Sequence, residues 1–184
     1  MVRCGTGGLV LVAMAVAVTA CGFRHHRSPT TDLGARRLMV PVAGVAPSKL
    51  TDTFNAPRDG GRRRHNALDI LAPIGTPVLS ADDGVVLALR SNRLGGRVIY
   101  ATDPARRFVY YYAHLSRYHP SLGPGQALRR GDVIGYVGAT GNADPRVPHL
   151  HFQVMAFPPD NRWWTGTPID PLPYLASPGR QVRP

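Results

Sequence analysis

The sequence predicts an all-β protein with one compact domain of mostly antiparallel strands. Three observations predict it: short runs of β-branched and aromatic residues, punctuation by 20 glycines and 18 prolines, and no sustained helical period in any segment. From about Thr51 the texture changes to these short apolar runs, so residues 51–175 are expected to form the domain and residues 176–184 a disordered tail. Residues 76–80 read as a strand, Asp82-Asp83-Gly84 as a tight turn, and residues 85–89 as the next strand. Leu94-Gly95-Gly96 turns into a strand over 97–101, and residues 108–114 (Phe-Val-Tyr-Tyr-Tyr-Ala-His) have the strongest strand composition. A short strand between glycines over 131–138 and a long one over 149–155 complete the set. The Pro-rich stretch after Pro158, with Trp163 and Trp164, reads as a loop that packs on or rims the domain.

The formal net charge is +11, from 22 Lys+Arg against 11 Asp+Glu, and Lys49 is the only lysine. A surface this basic suits a polyanionic partner: nucleic acid, anionic lipid or an anionic wall polymer. No recognition-helix pattern, aromatic RNA-binding signature or cysteine finger is present, which argues against nucleic acid.

The N-terminus carries Arg3 and then an apolar run over 9–18, too short to span a bilayer and of the right length for a signal-peptide core. It ends in Val18-Thr19-Ala20-Cys21, and small residues before a cysteine resemble the lipobox of bacterial lipoproteins. That resemblance implies a signal peptide over 1–20 and a lipidated Cys21 as first residue of the mature chain. An ordinary secretory signal cleaved near Ala20 is the alternative; it leaves an exposed lone thiol in an oxidising compartment. The expected location is the cell envelope, anchored on the periplasmic side, with the outer membrane one surface the anchor allows. Cleavage there removes Cys4, so no disulfide forms. Residues 21–50 read as a flexible tether; His25 and His26, with no third ligand nearby, read as solvated linker residues.

Three constellations carry chemistry. His65 and Asp69 form an H-x-x-x-D pair; in a regular strand positions i and i+4 lie about 13 Å apart, so sharing one ion requires the chain to bend between them. His149 and His151 sit at i and i+2 of a strand, on one face, with Leu150, Phe152 and Val154 toward the core. Both can share a metal, or one can ligate while the other moves a proton. His114 closes the aromatic strand, whereas His119, beside Pro120, reads as surface. A catalytic zinc needs three protein ligands, an open position for water and a nearby proton carrier. The chain supplies that set with histidines to spare.

Taken together, His65-x-x-x-Asp69, the single histidine of Tyr112-Ala113-His114-Leu115, and His149-x-His151 resemble the M23 family of peptidoglycan endopeptidases, the lysostaphin-like or LytM-type domains. The connecting text agrees, with Asp69-Ile70-Leu71-Ala72-Pro73-Ile74-Gly75-Thr76-Pro77-Val78 and Gly131-Asp132-Val133-Ile134-Gly135-Tyr136-Val137-Gly138. The resemblance implies an antiparallel β fold of that type and a Zn2+ ion held by His65, Asp69 and His151. It also implies His149 and His114 as catalytic histidines, and hydrolysis of wall stem peptides or cross-links. The chain departs from the family pattern at Asp144-Pro145-Arg146-Val147-Pro148, at Gln153 and at Asn66-Ala67; these bear on groove shape and substrate preference.

Two other readings compete. Some relatives have lost zinc ligands and act as activators of cell-wall amidases; this chain retains all three. Lipoyl or biotinyl carriers share short hairpins but need a lysine on an exposed turn, and Lys49 lies outside 51–175. The expected partners are peptidoglycan peptide and, through the anchor, a membrane; oligomeric state is open.

Overall fold

The computed structural model describes Met1 and residues 33–176. Their named elements are fourteen strands and four 3-10 turns. The first four strands are β1 (Leu38–Met39), β2 (Pro57–Arg58), β3 (Arg63–Arg64) and β4 (Leu68–Leu71). They are followed by β5 (Pro77–Leu79), β6 (Gly84–Asn92), β7 (Gly96–Thr102), β8 (Phe108–Leu115) and β9 (Arg117–Tyr118). The last five are β10 (Ala127–Leu128), β11 (Val133–Tyr136), β12 (His149–Ala156), β13 (Thr167–Ile169) and β14 (Leu175–Ala176). The expected all-β class is therefore observed. Among the described residues no helix is long and apolar enough to cross a membrane.

A seven-stranded antiparallel sheet runs β10-β6-β7-β8-β12-β13, with β4 also paired to β12. Alternation decides its faces. Tyr110, Tyr112, Leu150, Phe152, Leu68 and Ile70 are buried and point one way, and Tyr111, Ala113, His149, His151, Gln153 and Asp69 lie along the other face, which lines a cleft. The inner face shares one core with the small sheet β5-β11-β9 through Val78 and Ile134. Tyr112 illustrates how a buried hydroxyl is satisfied: it accepts a hydrogen bond from the Ala81 amide at 3.0 Å.

Asp82-Asp83-Gly84 turns the chain between two strands as expected, and those strands belong to different sheets: β5 pairs with β11, and β6 with β7 and β10. The turn hands the chain from one sheet to the other.

The tether does not extend to Leu50. Leu33, Leu38, Val40 and Val42 are buried in the core, and β1 pairs in parallel with β14. At roughly 1.5–3 kcal/mol for each buried aliphatic side chain, the segment has a reason to stay docked. Arg36 fastens it further. Its guanidinium donates to Oδ2 of Asp82 and, at 2.8 Å, to Oδ2 of Asp103, both of them buried. Tyr110 donates to the same Asp82 oxygen at 2.7 Å.

The stretch after Pro158 is more than a loop. It forms a 3-10 turn at Trp163–Thr165 and then β13 beside β12. Gly166 lies so close to β12 that a Cβ there would fall 2.5 Å from the Ala156 carbonyl oxygen. That approach holds the Trp163 ring on Tyr100, centroids 4.6 Å apart, while Trp164 is exposed.

Candidate metal centre

Strand register, more than sequence proximity, assembles the centre. β12 pairs with β4 so that His151 lies opposite Asp69, and with β8 so that His151 lies opposite Ala113. Both partners face the cleft, so the pairing sets an imidazole beside a carboxylate.

His65 follows β3, and the bend expected between it and Asp69 is present: Asn66 adopts a left-handed φ of 60°. The preceding segment holds this bend. The His65 amide donates to Ala56 and the Asn66 amide to Phe54. Thr53 accepts from the Asp69 amide through its hydroxyl, at 3.0 Å, and from His65 Nδ1 through its carbonyl, at 2.9 Å.

His114 reaches the cleft by a different route. Alternation from Tyr111 and Ala113 would send it to the core. Instead it adopts φ 62° where the β7–β8 register shifts, and the side chain turns outward. Its Nδ1 lies 2.8 Å from the Thr140 carbonyl.

These bonds settle tautomers. A carbonyl oxygen only accepts, so Nδ1 carries the proton in His65, in His114 and in His149, whose Nδ1 is 2.8 Å from the Val147 carbonyl. Each of these rings then offers the lone pair of Nε2. For His65 it converges on the partners described above: Nε2 lies 2.9 Å from His151 Nδ1 and 3.0 Å from Asp69 Oδ1. His151 Nδ1 is 3.2 Å from the same oxygen, and His149 Nε2 is 3.6 Å from it. The His114 ring stands edge-on to His149 and His151, centroids 5.0 and 5.6 Å away.

Burial acts to raise the Asp69 carboxyl's pKa, but the adjoining His151 and His65 rings outweigh it and hold the group well below the usual carboxylate range. Burial pushes His114 down to about 4, against the bond to Thr140, with the neighbouring His151 and His149 adding to the fall. Burial also lowers His151, against its bond to Asp69. Near pH 7 Asp69 is therefore a carboxylate and His114 and His151 are neutral, and for Asp69 and His151 this is the protonation state that metal ligation needs.

Among the described residues His65, Asp69 and His151 form a group whose donor atoms all lie within 4.8 Å of one another. Donors around a tetrahedral zinc are separated by about 3.4 Å for bonds near 2.1 Å. The 2.9–3.2 Å spacings found here need to open by only a few tenths. Two nitrogens and one oxygen also suit zinc chemically, and the cleft above them, about 500 Å³, leaves a side open.

The model of peptidase family M23 matches residues 63–171. The chain belongs to peptidase family M23. An L-Ala--D-Glu endopeptidase of Bacillus subtilis is 36% identical over 121 residues, 63% of this chain and 36% of that protein. The peptidoglycan DD-endopeptidase ShyC of Vibrio cholerae is 32% identical over 111 residues, 58% of this chain and 24% of that protein. The chain thus spans about a third or less of the length of these relatives. Among solved structures, a zinc-containing peptidase from Vibrio cholerae superposes with a TM-score of 0.59 at 28% identity, covering 74% of this chain and 39% of that one. The catalytic domain of lysostaphin from Staphylococcus simulans gives 0.55 at 26% identity, covering 78% and 95%. The M23 resemblance and the lysostaphin-type fold read from the sequence are thereby established.

All five histidine and aspartate candidates meet in one cleft. Cys21, His25, His26 and the signal segment lie outside the described residues. Two contributors were not singled out from sequence. Thr53 holds the His65–Asp69 bend, and Arg58, on the strand paired with β3, donates to Asp69 Oδ2 at 2.7 Å. A basic residue facing the first histidine's strand across a short hairpin is the signal that marks it.

Proposed function

We propose that this M23 domain is a zinc-dependent endopeptidase of bacterial cell-wall peptidoglycan. In this reading His65 Nε2, Asp69 Oδ1 and His151 Nδ1 hold the metal. The observation that carries it is the convergence of those three atoms while two further imidazoles, His114 and His149, stand over them with Nδ1 tied to backbone carbonyls. Peptidoglycan endopeptidases among its relatives support the substrate class. The metal, when bound, polarises the scissile carbonyl and acidifies its water.

The chain's residues do the rest. His149 takes the proton from the attacking water at Nε2, its ring fixed by the bond to Val147. His114, its Nδ1 tied to Thr140, receives that proton from His149 at its Nε2 lone pair and hands it to the leaving amine. The basic surface suits an anionic wall. We also infer export and lipid attachment at Cys21, which confines the domain to the envelope and raises its effective concentration on the wall.

Purified protein is expected to carry stoichiometric zinc and to release peptides from sacculi, identified by mass spectrometry. His151→Ala should lose zinc and hydrolysis together; His149→Ala should lose hydrolysis and keep most of the zinc. Near-full activity in His149→Ala would refute its role. Wild-type protein with no zinc and no released peptide would favour the amidase-activator reading.

A further inference from the structure

We propose that Arg58 is a positioning residue of the metal centre: it grips the outer oxygen of Asp69 so that only Oδ1 is offered to the ion. The inference rests on the zinc reading above. The Asp69 carboxylate divides its two oxygens. Oδ1 lies 3.0 Å from His65 Nε2 and 3.2 Å from His151 Nδ1, whereas Oδ2 takes Nη2 of Arg58 at 2.7 Å. A carboxylate turns easily about its Cβ–Cγ bond. Left unheld, this one can present both oxygens to an ion or swing toward His149, whose Nε2 is 3.6 Å from Oδ1. The Arg58 bond selects one rotation.

The arginine is itself held where it must be. β2 and β3 form a short antiparallel pair that sets Arg58 opposite Arg63. Two like charges so placed repel, and each is answered by its own carboxylate, Arg58 by Asp69 and Arg63 by Asp59. Because β3 runs directly into His65, the hairpin that supplies the metal-facing imidazole also supplies the group that orients the carboxylate. A guanidinium suits this task because it stays charged and its donors are fixed in a plane. Arg58 is about one-third exposed, and an ion pair so open adds little to fold stability, so its effect should appear at the metal.

Arg58→Gln and Arg58→Lys in the full chain test this. Zinc affinity is read by competition with a chromophoric chelator, ligand geometry by the visible spectrum of the Co2+-substituted protein, and folding by the thermal midpoint of the metal-free forms. Arg58→Gln is expected to weaken zinc binding by about 10–100-fold, the usual cost of losing a partner behind a ligand, and to change the cobalt spectrum, with an unchanged midpoint. Arg58→Lys, which keeps the charge, is expected to recover much of the loss. Zinc affinity within about twofold of wild type in Arg58→Gln, with an unchanged cobalt spectrum, overturns the proposal. Wild-type protein that binds no stoichiometric zinc overturns the zinc reading and this inference together.

Discussion

Replacing Arg36 by methionine isolates the clasp that docks residues 33–42. Methionine keeps an apolar stem of similar length, so packing changes little and the charge is what goes. The guanidinium is 17% exposed, Asp82 7% and Asp103 0%, so removing it strands two buried carboxylates. Breaking a buried pair from one side costs about 3–5 kcal/mol. Here the orphaned groups keep other partners: Asp103 still accepts from the amides of Arg107 and Phe108, and Asp82 from Tyr110 and the Asp83 amide. The lower end therefore applies, about 3 kcal/mol. For a domain of this size that is a fall in Tm of roughly 6–12 °C, at about 2–4 °C per kcal/mol. Urea titration followed by circular dichroism gives the free energy, and limited proteolysis reports whether residues 33–50 detach. A loss below about 1 kcal/mol with no new cleavage would show that aliphatic burial alone docks the segment.

Two more outcomes follow from the geometry. The pKa values of Tyr110, Tyr111 and Tyr112 are each raised above the ordinary phenol value of 10.0, first by burial and, for Tyr110, by the charge of Asp82. A folded pKa above the unfolded one means this stability is intact below about pH 10 and lost as pH climbs beyond it. Unfolding at pH 11 should then need less urea than at pH 8, with the 295 nm absorbance of the buried phenols rising only on unfolding; full ionisation of every tyrosine in the native state would refute it. Gly75 and Gly141 make a matched pair. Both have positive φ, but a Cβ on Gly75 meets nothing within 4 Å, whereas on Gly141 it would lie 2.3 Å from the Gly96 nitrogen and the Leu94 oxygen. Gly75→Ala is expected to cost about 1 kcal/mol and Gly141→Ala about 3 kcal/mol in chemical denaturation. Gly141→Ala should also depress hydrolysis, since Thr140 beside it orients His114.

Much of the domain could be read directly because period-two patterns are unambiguous when one face is buried. The strand around Leu150, Phe152 and Val154 placed His149 and His151 on the open face, and the structure has them there. The bend between His65 and Asp69 was required by distance alone. What alternation could not supply was anything that breaks it. His114 reaches the cleft through a left-handed backbone at a register shift, which no local pattern announces. The docking of residues 33–42 depends on Asp82 and Asp103, distant in sequence, and on a two-residue parallel pairing with Leu175 and Ala176. Arg58 was one arginine among many until the hairpin set it beside Asp69.

The docked N-terminal segment also fixes how far the domain can travel from its proposed anchor. With Cys21 in a membrane and the chain free up to Leu50, a fully stretched backbone would let the domain range about 100 Å. With Leu33 seated in the core, the twelve residues from Cys21 to it can span at most about 40 Å. On the proposed anchor, the clasp at Arg36 would set a leash length and confine the cleft to wall strands nearest the membrane. Releasing residues 33–42 would lengthen that leash to about 70 Å, with Val45 and Leu50 still packed against the core.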